Sequence, residues 1–234
     1  MENKKTIIAI IITTILIIAL IGILYFYNNF NTKQMTILTQ EVNKILDADL
    51  SKDNIDFHIK TEKNYGEIED SIKEYISKLK NIYTEMEEMV SGINPNTIFA
   101  AQNVPDKKMD EVEKIIKEYK EKSQNLIAEY KELTTGEQIS ENINNTDISM
   151  RKDYYIRLYN EIMLSEQMQN QYYKLDEEIK NQKGKLYEKL NKIEKIKEFL
   201  EEYQDSWVIE DDKINIINTN RIIEYYNLVN QVID

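Results

Sequence analysis

The sequence contains no cysteine, two prolines, five glycines and a single histidine in 234 residues. Without cysteine there is no disulfide, no thiolate metal site, no thiol nucleophile and no lipid attachment through sulfur. The shortage of proline and glycine removes the usual turn formers and favours long uninterrupted helices over a loop-rich β fold. The one histidine, His58, has no Cys or second His with which to build a catalytic or metal constellation, and its alternation with Ile55, Phe57 and Ile59 puts it on the wetter face of an extended segment. Glycine-rich phosphate loops, G-x-S-x-G elbows and H-E-x-x-H pairs are all missing. Asp47, Asp49, Ser51 and Asp53 have the spacing that opens a calcium loop, but Lys52 stands where glycine is needed and His58 where a bidentate Glu is required. No enzyme, cofactor or metal site is expected.

The chain does carry one long uncharged stretch, residues 6–27, "TIIAIIITTILIIALIGILYFY". At about 1.5 Å per residue it covers the roughly 30 Å hydrocarbon core of a bilayer. It is too long for the apolar region of a cleaved signal peptide and lacks a small-x-small pair at its end, so a retained signal anchor is expected, with Tyr25, Phe26 and Tyr27 as an interfacial aromatic belt. Lys4 and Lys5 in a tail of residues 1–5, against Lys33 alone close after the span, place the N-terminus in the cytoplasm and the bulk outside the plasma membrane. The first 30 residues hold only Lys4, Lys5 and Glu2, a net of +1, so the rest of the chain carries −13 to give the overall −12. So acidic a segment repels nucleic acid and anionic headgroups.

Past the span, Met35, Leu38, Val42 and Ile45 continue a helical stripe, predicting a stalk over 28–50 that lifts the rest by roughly 30 Å. Three heptad seams follow within the domain of residues 51–234. The first is Ile68, Ile72, Tyr75, Leu79, Ile82, Met86, Met89; the second is Met109, Val112, Ile116, Tyr119, Ser123, Leu126, Tyr130, Leu133. The third, Leu158, Ser165, Tyr172, Ile179, Leu186, Ile193, Leu200, keeps its phase across Gly184, which predicts one helix over 147–203. A last amphipathic helix from Thr219 to about Ile233 shows Ile222, Tyr226, Val229 and Ile233 on one face. The expected fold is mainly α: an N-terminal transmembrane helix, then long antiparallel helices in an elongated coiled coil, the first two end to end along the third, or alternatively a compact helical bundle.

Two segments depart from helical spacing. Residues 54–60, "NIDFHIK", alternate like a half-buried strand, and 206–217 alternate on either side of Asp211-Asp212 like a hairpin. Two strands alone are marginal in water, so the three are expected to form a clasp built on Phe57, Trp207, Ile209, Ile214 and Ile216, with residue 66 brought beside residue 203. Tyr75, Tyr119, Tyr130 and Tyr172 fill seams, whereas Tyr154, Tyr173 and Tyr225 are candidates for an exposed interaction surface. The expected function is that of a single-pass, extracytoplasmic spacer or protein-interaction module, with a protein partner or a second copy. The alternatives are a cytoplasm-facing tethered coiled-coil regulator and an extracytoplasmic ligand sensor.

Overall fold

A computed structural model describes residues 2–144, 146–148 and 150–233, with side chains from Ile15 onward. The side chains of Lys4 and Lys5, on which the expected orientation rests, lie outside that set. Eight α-helices and one hairpin occur among the described residues: α1 (Glu2–Asp47), α2 (Asn64–Gly92), α3 (Pro95–Ile98), α4 (Asp110–Leu133), α5 (Gly136–Asn142), α6 (Lys152–Met163), α7 (Glu166–Glu202), β1 (Trp207–Glu210), β2 (Lys213–Ile216) and α8 (Thr219–Ile233). Side-chain caps mark several starts. Asn94 accepts from the Asn96 N–H with Pro95 at the first helical position, Thr135 accepts from Gln138, and Ser165 accepts from Met168.

The helix that carries the apolar run does not stop at its end. α1 is long and apolar enough to cross a membrane and is exposed from Ile15 to Tyr27, yet Leu38, Val42 and Ile45, about three to five turns further on, are buried in the domain core. The helix continues to Asp47, as the stripe predicts, but it packs into the domain and does not lift it as a stalk over 28–50. A stripe of apolar residues needs a partner, and here α2 and α7 supply it.

Contacts along the helices fix their directions. Tyr65 packs edge-on against Tyr155, with 5.2 Å between centroids, at the end where α1 enters the domain. Further along, the Gln182 amide donates to the Tyr83 hydroxyl at 3.2 Å, so α2 and α7 run the same way. α4 returns between them, with Lys122 on Glu85, Lys120 on Glu194, and the Tyr130 hydroxyl donating to the Tyr172 carbonyl at 2.6 Å. α2 and α4 thus lie side by side, not end to end, and residues 66 and 203 are at opposite ends of the domain. The seams themselves are where the spacing put them: every residue of the first is buried, as are Tyr172, Ile179, Leu186, Ile193 and Leu200 of the third.

One helix over 147–203 is corrected to two. α6 ends at Met163, and Ser165 both donates to the Ile162 carbonyl and caps α7. Ser165 keeps the heptad phase, which is why the break does not show in the spacing. α7 does continue through Gly184, where nothing lies within 4 Å of the place a Cβ would occupy. On α8 the buried face is Tyr225, Val229 and Val232, one residue round from the expected one, leaving Tyr226 and Ile233 exposed.

The hairpin forms in the expected register, Trp207 opposite Ile216 and Ile209 opposite Ile214. Asp211 and Asp212 both have positive φ, 50° and 60°, the pattern of a type I′ turn, and Asp tolerates it better than most residues. Trp207 is 0% exposed. Its indole N–H donates to the Leu200 carbonyl at 2.8 Å in the last turns of α7, and the Lys107 ammonium lies 4.9 Å from the ring centre while donating to the Trp207 carbonyl at 2.6 Å. Asp212 accepts from the Ala101 N–H at 2.7 Å. The hairpin therefore closes the distal tip, tying α7 to the α2–α4 connection.

The third strand of the clasp does not exist: the only sheet among the described residues has two strands. Residues 54–60 lie at the other end of the domain, extended between α1 and α2, with Ile55 and Phe57 half-buried. Their alternation comes from lying on a core with one side in water, and they have no neighbouring strand.

Two substitutions test this architecture by urea denaturation. Trp207→Ala is expected to lose about 3–5 kcal/mol, the usual cost of emptying a buried aromatic site. Gly184→Ala, at an exposed interior position of an unbroken helix, is expected to gain about 1 kcal/mol.

Candidate functional site

The most unusual chemistry lies where α1 enters the domain. Lys73 of α2 is 2% exposed, and its ammonium is held by Glu41 of α1 at 2.8 Å, by Glu69 one turn back at 2.6 Å, and by the His58 carbonyl at 2.7 Å. Glu69 is equally enclosed. Its Oε2 accepts from the backbone N–H groups of Lys60 and Thr61 at 2.9 and 2.7 Å and from the Thr61 hydroxyl at 2.7 Å, while Oε1 makes only the ion-pair contact with Lys73. Glu41 is also paired with Lys44, which reaches out to solvent. Three charges thus bind α1, α2 and the extended segment 54–61 to one another. Three backbone groups of that segment, the His58 carbonyl and the Lys60 and Thr61 N–H groups, which a strand would have paired in a ladder, are taken by these side chains instead.

The electrostatics follow from the geometry. Burial alone would pull the Lys73 ammonium down, but its hydrogen bonds to Glu41 and Glu69 outweigh that and hold its pKa above the ordinary 10.5. Burial alone would raise Glu69, but Lys73, Thr61 and two backbone N–H groups hold it below 4.5. Such a cluster stabilises little relative to well-packed apolar residues, yet removing one member strands the others without water.

The tyrosines selected for an exposed surface fall into three classes. Tyr173 is 64% exposed and lines an open groove of 470 Å³ beside Leu46, Leu50, Gln171 and Lys174, at the C-terminal end of α1. Tyr154 is half-buried, edge-on to Tyr155 at 5.1 Å with the Arg151 guanidinium 5.0 Å from its ring centre. Tyr225 is corrected: it is 5% exposed and packs on Phe199 at 5.9 Å. The three do not form one patch. A second surface was missed by the helical-face argument. Ile223, Tyr226 and Ile233 are exposed apolar residues running along the flank of α8 beside its buried face, with Ile217 just before it.

His58 is exposed, and its Nδ1 lies 2.7 Å from Asp56. The calcium-like spacing at 47–53 is taken up by turn formation. Asp49 accepts from the Ser51 N–H and hydroxyl at 3.0 and 2.6 Å and from Lys52 at 2.8 Å, which hold its carboxyl at about 2. Asp53 accepts from the Asp49 N–H. Among the described residues no group of three or more His, Cys, Asp or Glu side chains is placed to hold a metal ion.

Lys73→Met leaves Glu41 and Glu69 facing each other in a dry site and is expected to cost about 3–5 kcal/mol. The pH profile carries the same signature. Because Glu69 is lowered, its contribution is present above about pH 4.5 and is lost as pH falls through the depressed value. Because Lys73 is raised, its contribution is present below 10.5 and lost as pH rises through the elevated value. Thermal melts across pH should therefore give a plateau between these limits, and Glu69→Gln should flatten the acid limb.

Comparison with family models, with curated proteins and with solved structures found no match.

Proposed function

We propose that the chain is a single-pass, membrane-anchored helical module that holds a protein-interaction surface at a set height and orientation outside the cytoplasm, and that it is not a catalyst. One observation carries this reading. The helix bearing the uncharged run passes without a break into the domain core, where Leu38, Val42 and Ile45 are buried and Glu41 is locked to Lys73. A flexible tether would let the domain swivel; this junction supports a domain that moves with its anchor. α7 alone, with 37 residues, carries the tip about 55 Å further out. Near that tip the α8 stripe of Ile223, Tyr226 and Ile233 offers unpartnered apolar surface of the kind that protein partners cover. The seams pack on one another inside the chain, which favours a partner at α8 over a coiled coil shared between copies.

The orientation follows Lys4 and Lys5 before the span. The absence of cysteine makes it easy to test, since Tyr173→Cys would be the only thiol and stands in the open. Labelling of that thiol by a membrane-impermeant maleimide on intact cells is expected. Protection until lysis would contradict an extracytoplasmic module and favour the tethered cytoplasmic regulator.

One observation favours a second reading, a ligand sensor. The groove at Tyr173 abuts the last turn of α1, so an occupant there would touch the helix that continues to the membrane. Saturable thermal stabilisation of the protein by a small ligand, abolished by Tyr173→Ala, would support it over the spacer.

A further inference from the structure

The end of the domain nearest the apolar run has a character unlike the rest of this acidic chain. Where α1 leaves its exposed stretch, two connections meet it: the turn before α2 and the turn before α6. The first brings Lys63, whose ammonium lies 4.7 Å from the centre of the Phe30 ring. The second brings Met150 and Arg151. The Arg151 guanidinium lies against Tyr27 and Tyr154, and Met150 is 71% exposed. Asn64 ties the two turns together by donating to the Met150 carbonyl at 2.8 Å. Arg151 has a left-handed backbone, φ 56°, immediately before the first residue of α6.

The level of these residues is fixed by α1 itself. Tyr25, Phe26 and Tyr27 end the uncharged run and are exposed, so on the membrane-spanning reading they sit at the boundary between hydrocarbon and headgroups. Tyr27 is the residue that Arg151 touches, and Lys63 is less than one turn higher along α1. The turn 150–151 and Lys63 therefore stand in the headgroup layer and not above it. Glu67 and Asp147 line the same recess, which makes it mixed in charge, but the groups laid on the two α1 rings include both cations, Lys63 over Phe30 and Arg151 beside Tyr27. An exposed methionine beside cations that rest on aromatic rings fits the interface, where an apolar tip enters the acyl boundary and the cations meet phosphate.

We infer that the base of the domain, Lys63, Met150 and Arg151, docks on the phospholipid headgroups of the same bilayer that α1 crosses, Met150 at the acyl boundary and the two cations on lipid phosphates. This rests on the membrane-spanning reading and adds a second attachment to it. The acidity of the domain as a whole argues against lipid contact; the base is the local exception.

The test uses the full chain in phospholipid nanodiscs, with one nitroxide at a time on Ile18→Cys, Met150→Cys or Tyr173→Cys, and compares collisions with oxygen and with a water-soluble nickel chelate. The expected oxygen-to-nickel ratio is highest at Ile18, several-fold above the Tyr173 value at Met150, and lowest at Tyr173. Adding Lys63→Glu and Arg151→Glu together, with helicity unchanged by circular dichroism, is expected to drop the Met150 ratio towards that of Tyr173. A Met150 label as open to nickel as Tyr173, with Ile18 still shielded, overturns the docking alone. A Met150 ratio indifferent to both charge reversals overturns the role given to the cations. A water-exposed label at Ile18 overturns the span and the docking together.

Discussion

A lysine ammonium with almost no access to water is the constraint around which the domain is arranged. Lys73 needs two carboxylates and a carbonyl, and these come from Glu41 on the anchor helix, Glu69 on its own helix and His58 on the extended segment. Each acceptor fixes one piece of structure. Glu41 pins α1 against α2, so the helix that bears the apolar run is also part of the core. The His58 carbonyl, together with the Glu69 carboxylate on Lys60 and Thr61, lays residues 54–61 down between the two helices. Buried charge of this kind adds little net stability compared with apolar packing, but it penalises every arrangement that leaves one partner alone. Its value here is in specifying one angle and one register between anchor and domain.

The two ends of the domain are held by different chemistry. The anchor end relies on buried ions and on aromatic rings under cations. The distal end relies on apolar burial and on the backbone: Trp207 fills the tip, its N–H takes a carbonyl near the end of α7, and Lys107 crosses from the α2–α4 connection to hold it. Between them the three seams of α2, α4 and α7 make a continuous apolar spine. On the proposed reading, the arrangement would keep one orientation relative to the bilayer at one end and present surface at the other.

The legible parts of this fold were those in which one face of one element settles the matter. The seams of α2 and α7 are buried residue for residue, and the hairpin around Asp211-Asp212 has the register its alternation implies. The illegible parts depend on what lies opposite. Residues 54–60 alternate because they lie on a core, and the same period cannot distinguish that from a ladder. Ser165 stays in phase while breaking the helix. Glu69 and Lys73, four apart, read as an ordinary solvated pair, and only their position beside Ile68, Ile72 and Ile76 hinted that this face of α2 is covered. The stripe Met35, Leu38, Val42 and Ile45 held the clearest missed signal, since a free stalk in water has no use for it. The α8 surface was missed for a related reason: that helix is apolar on two sides, and periodicity does not say which side the core takes.

The account stands on the claim that anchor and domain form one rigid piece. With no native cysteine to remove, two nitroxides can be placed on the full chain in nanodiscs at Leu24→Cys, on the exposed stretch of α1, and Gln167→Cys, on an exposed position of α7. The distance between them can then be read by pulsed dipolar spectroscopy. A rigid junction predicts a single narrow distribution. A broad or multiple distribution would show that the domain swivels on its anchor and would contradict the account.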